Sequence, residues 1–143
     1  MSSPPRPNPV RFPLLFLGIF TLLAALWAGM LRIGLTLPPL SPTLSGGHGP
    51  LMIAGFLGTV IGLERAVAMG RAWMFVAPAL AAAGGLLIIF GAPPAAGALS
   101  IALSSAALIL LFTQIVRLQP TLFNYVLTLA AVVWLVGNLF WLF

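Results

Sequence analysis

Very few side chains in this sequence can do chemistry. There is one histidine, His48, one glutamate, Glu64, and six arginines, while Asp, Lys and Cys are absent. Neutral imidazole is a common ligand for haem iron, copper and zinc. His48 lies in the run SGGHGP, whose glycines would let a bulky ring approach. Met52 follows four residues later and shares the His48 face if a helix begins early enough. A His–Met pair suits haem or copper. The competing reading is an interfacial histidine hydrogen-bonded to a loop carbonyl. With one histidine and no thiolate, a full coordination shell needs ligands from elsewhere.

Glu64 and Arg65 lie sixteen and seventeen residues further on. Charges inside a membrane are costly and mark either function or pairing. Adjacent helical residues point about 100° apart, so these two are not expected to face each other. Glu64 is expected to pair instead with Arg71, Arg117 or Arg11. Two roles follow for Glu64, Arg65 and Arg71: a structural ion pair that fixes helix orientation, or a proton-handling carboxylate with its neighbours. Sixteen helical residues span about 24 Å, so His48 and Glu64 cannot share a site within one copy. No phosphate loop, nucleophile–base pair or metalloprotease motif is present. Carboxylates are too few for paired acid–base catalysis.

The elements that must carry these residues are set by composition. Hydrophobic types make up 62% and charged types 5% of the 143 residues, and mean hydropathy is +1.19. A soluble domain carries about a quarter charged residues, so lipid is the expected solvent. The expected fold is all-α, an integral membrane bundle of about five transmembrane helices. Lipid demands that backbone groups pair internally, and the apolar runs lack the alternation of barrel strands. The spans fall at about 12–35, 51–69, 73–90, 95–116 and 122–143, after a disordered tail at 1–11. The stretch 36–50 holds four prolines and three glycines and is expected to be a loop. The first apolar run exceeds the core of a signal peptide, about 7–15 residues, and no cleavage site follows it. It is therefore expected to stay as the first span.

Charge orients the bundle. Five spans put Arg6, Arg11, Arg65, Arg71 and Arg117 on one side and Arg32 alone on the other. That asymmetry predicts a cytoplasmic N-terminus and a periplasmic C-terminus in a bacterial inner membrane. The net charge of +5 is scattered singly, with no basic stripe or aromatic platform, so no nucleic-acid partner is expected. Small residues predict close packing: Ala54, Gly58, Gly62, Ala66 and Gly70 in the second span, Ala81–Gly85 in the third, and Ala98, Ala102 and Ala106 in the fourth. Asn138 is expected to make an interhelical hydrogen bond. Gln114 and Asn124 are expected at the interface. Trp27, Trp73, Trp134, Trp141 and Tyr125 are expected in interface belts or packing.

The stretch His48–Arg65, HGPLMIAGFLGTVIGLER, resembles the second-helix region of the NnrS family. Its setting after an apolar span and a Pro-rich loop does so as well. His48, Met52 and Gly55-Phe56-Leu57 occupy the places of that family's histidine, methionine and glycine–phenylalanine run. The segment from Phe123 to Leu139, with Asn138, is similar to a later family helix. The family is described as polytopic, inner-membrane, containing haem and copper, and protective under nitric oxide stress. The resemblance implies that His48 is a haem or metal ligand assisted by Met52. Family members run to about twelve spans with several histidines, and often carry a Glu where Pro50 and Leu51 stand here.

Two functions follow. One is an NnrS-like, haem- or copper-binding membrane protein linked to nitric oxide or respiratory metabolism, with catalysis not expected from this chain alone. The other is a small structural subunit of a respiratory or photosynthetic membrane complex, without its own cofactor. The expected partners are the lipid bilayer and other transmembrane helices, supplied by a missing C-terminal half, a second copy or a larger complex.

Overall fold

The computed structural model describes residues 9–42 and 44–143. These residues form five long helices: α1 (Arg11–Arg32), α2 (Leu44–Met69), α3 (Ala72–Ile89), α4 (Pro94–Leu118) and α5 (Leu122–Leu142). Each is long and apolar enough to cross a membrane. A helix of 20 residues reaches about 30 Å, the thickness of a hydrocarbon core. Four helix bounds agree with the sequence within a few residues. The expected tail lies outside the described residues up to residue 8, and α1 already begins at Arg11.

The second helix departs from expectation. It starts at Leu44, so the region expected to be a loop contributes its first turns. Leu44–Gly47 is a 3-10 turn, His48–Pro50 is α-helical, and Leu51–Leu57 is π-helical before regular α-helix resumes at Gly58. Proline is compatible with the first turns of a helix, because the N–H it lacks has little to pair with there. The π register is fixed where Gly58 N–H donates to Ile53 O, five residues back. Thr59 Oγ1 donates to Gly55 O at 2.6 Å within the same stretch. Leu44 and Leu51 are both fully buried, which holds this irregular start in the bundle.

Consecutive helices run antiparallel, as the contacts between them require. α1 meets α2 through Gly18 against Thr59 and Gly29 against His48. α2 meets α3 through Gly55 against Gly85 and Gly62 against the ring of Pro78. Ser100 Oγ donates to Leu80 O at 2.8 Å and Ser104 Oγ to Ala77 O at 2.7 Å, tying α4 to α3. The expected Asn138 bond is present: its Nδ2 donates to Ser105 Oγ at 2.6 Å, tying α5 to α4. Such bonds and small-residue contacts are the kind that hold apolar helices together at close range.

α3 is the central element. A Cβ on Gly85 would lie 2.6 Å from Thr21 Cγ2 and 3.4 Å from Gly55 Cα, so α1, α2 and α3 meet at one point. A Cβ on Gly84 would lie 2.7 Å from Ile101 Cγ1 and 3.1 Å from Gly97 O on the α4 side. Half of the α3 span is buried, against 6% for α5, which leans on α4 and exposes apolar side chains elsewhere. Gly70 was expected in the small-residue ridge of α2. It instead ends that helix with φ +66, a left-handed position that glycine takes without strain. Asn124 lies in the first turn of α5, beside the α4–α5 turn. It is buried, and its Nδ2 donates to Gln119 O at 2.8 Å, closing the α4–α5 turn.

Candidate functional site

His48 stands in the second turn of α2, inside the helix rather than at its mouth. Antiparallel packing puts it beside the last turns of α1. Its Nδ1 lies 2.7 Å from Ala25 O. A carbonyl only accepts, so Nδ1 carries the proton and donates it. In the neutral ring, Nε2 then holds the lone pair. The ring packs on Gly29, where a Cβ would lie 2.9 Å from both Cε1 and Nδ1. The hydrogen bond fixes the tautomer, and the missing side chain makes room for the ring. From sequence, one expected partner of His48 is a loop carbonyl. The partner is a carbonyl, but one within α1.

Met52 is half-buried and packs against the cluster that contains Ala24, Ala25 and Ala28. It therefore belongs to the same local region as the His48–Ala25 contact. Among the described residues there is no group of three or more His, Cys, Asp or Glu able to hold a metal ion. This chain can offer an imidazole and a thioether, and further ligands would have to come from outside it.

The second candidate cluster sits at the opposite end of α2. Glu64 Oε1 lies 3.5 Å from Arg65 Nη2, with the two side chains 64% and 30% exposed. The expected pairing with Arg71, Arg117 or Arg11 is not the one observed. Both side chains are long enough to bridge the angle between adjacent positions. The pair is open and long, a geometry worth less than about 1 kcal/mol. Arg71 is exposed in the α2–α3 link, where its carbonyl accepts from Met74 N–H. Arg11, Arg65, Arg71 and Arg117 all lie at this end, and Arg32 lies at the His48 end.

Ala25 and Gly29, the two α1 residues that set His48, are not among the candidates that residue type and spacing single out. Both look like ordinary small residues of an apolar span. The fact that Gly29 is one of only two glycines within α1 was the available signal.

Residues 11–143 match the family described as Domain of unknown function (DUF8744). The chain belongs to that family. No curated protein matches it, and no solved structure does. In this DUF8744 member the match covers all five helices, so the His48 cluster and the Glu64 cluster both lie within the family region.

Proposed function

We propose that the chain is a multi-pass protein of the bacterial inner membrane in which His48 serves as a ligand to haem or copper. The membrane reading is supported by five apolar helices and by the grouping of four arginines at one helix end, which favours a cytoplasmic N-terminus. The cofactor reading is carried by one observation, the 2.7 Å bond from His48 Nδ1 to Ala25 O. Metal-ligating histidines characteristically donate their other ring N–H to a carbonyl or carboxylate, which orients the ring and raises the basicity of the free nitrogen. Nε2 is then the ligating atom, and Met52 supplies a soft sulfur nearby. Bound haem or copper would supply one-electron and nitric oxide chemistry. The NnrS resemblance links that chemistry to nitric oxide or respiratory metabolism. Protein purified in detergent should show a Soret band or stoichiometric copper, and His48→Ala should lose it. Identical spectra and metal content in both proteins would remove His48.

The second reading is a structural subunit of a larger membrane complex. It draws on α5, whose span is almost wholly unburied. Co-purification of a stoichiometric partner that protects α5, with no cofactor at His48, would favour it.

A further inference from the structure

Away from His48, one cleft combines two opposite charges with an apolar lining. It has a volume of about 370 Å³ and lies between the start of α1 and the later part of α2. Arg11 and Glu64 line it together with Leu15, Val60, Leu63 and Val67. Leu15 is one turn along α1 from Arg11, and Val60 is one turn before Glu64, so the apolar lining continues towards mid-helix.

Both charges retain bonding capacity. Arg11 Nε is buried and has no hydrogen-bond partner among the described residues. Its guanidinium carbon lies 4.5 Å from the Phe12 ring centroid, so an aromatic face holds the group. Glu64 makes only the 3.5 Å contact to Arg65 and is largely exposed. The first turn of α1 carries no acidic residue, which leaves the positive end of the helix dipole available to an anion.

We propose that this cleft binds a zwitterionic aminophospholipid of the phosphatidylethanolamine type. Its phosphate sits on Arg11, its primary ammonium donates to Glu64, and an acyl chain follows Leu15, Val60 and Leu63. An anionic headgroup such as that of phosphatidylglycerol can also place its phosphate on Arg11, but it offers Glu64 neutral hydroxyls in place of a cation and so lacks the charge contact. A choline headgroup has no N–H to donate. Free phosphate leaves the apolar lining uncovered. The inference rests on the membrane half of the proposed function and is independent of His48.

The test is native mass spectrometry of the detergent-purified chain. It is titrated with phosphatidylethanolamine, phosphatidylcholine and phosphatidylglycerol carrying identical acyl chains. Wild type should retain phosphatidylethanolamine about fivefold better than either other lipid, the scale of one exposed charge contact. Glu64→Gln should make phosphatidylethanolamine and phosphatidylcholine equal, and Arg11→Gln should weaken all three. Glu64 is exposed and weakly paired, so Glu64→Gln keeps the test valid even if Arg11→Gln fails to fold. Equal retention of all three lipids, a preference for phosphatidylglycerol, or an unchanged preference in Glu64→Gln would overturn the assignment while leaving the membrane reading intact. A wild-type chain that is folded and monomeric in detergent-free buffer would remove the membrane reading and this proposal with it.

Discussion

Replacing Gly29 by alanine should be harmful only while His48 is present. The new Cβ would lie 2.9 Å from the ring's Cε1 and Nδ1. Comfortable contact begins near about 3.5 Å, so the ring must retreat by about 0.6 Å. The Nδ1–Ala25 O distance is 2.7 Å, and good bonds of this type end near about 3.2 Å. A retreat of that size directed away from Ala25 stretches it to about 3.3 Å and weakens it. The weakened bond costs up to about 1 kcal/mol, and overpacking adds about 1 kcal/mol or more. Gly29→Ala should therefore destabilise wild type by about 2 kcal/mol, less any gain in helix propensity. In a His48→Ala background the clash and the bond are both gone. There the same change should be neutral or stabilising, by up to about 1 kcal/mol, because alanine favours helix over glycine. Thermal unfolding of the four proteins in one detergent measures the cycle. If His48 ligates a metal, Gly29→Ala should also weaken its binding about 10- to 100-fold, as loss of an orienting partner does. Equal destabilisation in both backgrounds, or none in wild type, would refute the ring placement.

Gly85→Ala should cost more than Gly29→Ala, since its Cβ meets Thr21 at 2.6 Å and the Gly55 backbone at 3.4 Å. A loss towards about 3 kcal/mol or failure to fold is expected, measured by melting or by monodisperse yield. Gly137 has open space around its Cβ position, so Gly137→Ala is the matched control and should be neutral or stabilising. Asn138→Ala should cost about 0.6 kcal/mol, typical of interhelical bonds in membranes; Ser105 keeps its 3.0 Å bond to Ile101 O. Asn124→Leu should cost about 1 kcal/mol by removing one of two donors to Gln119 O, which keeps its 2.9 Å bond from Thr121 N–H, and denaturation of the variant measures it.

Helix number and helix spacing were legible in the sequence because apolar runs of about 20 residues need no tertiary partner to be recognised. Asn138 was legible for the same reason: an amide in such a run must find a bond. The start of α2 was not legible. Local propensity makes SGGHGP a loop, but burial of Leu44 and Leu51 overrides that preference and brings His48 into the helix. The Glu64–Arg65 pair was missed because backbone angles alone decided the expectation, whereas long side chains can bend around the helix.

By itself, the sequence determined the solvent-facing chemistry of this protein, its count of long helices and its scarcity of reactive groups, since each follows from composition and run length. Which surfaces meet depended on the tertiary structure. Only antiparallel packing brings Ala25 and Gly29 of α1 to His48 of α2, residues 23 and 19 positions away in the chain, and so decides which imidazole nitrogen remains free. The Ala25 carbonyl leaves no local signature, because a backbone carbonyl is the same wherever it occurs, and Gly29 shows only as one of two glycines in α1.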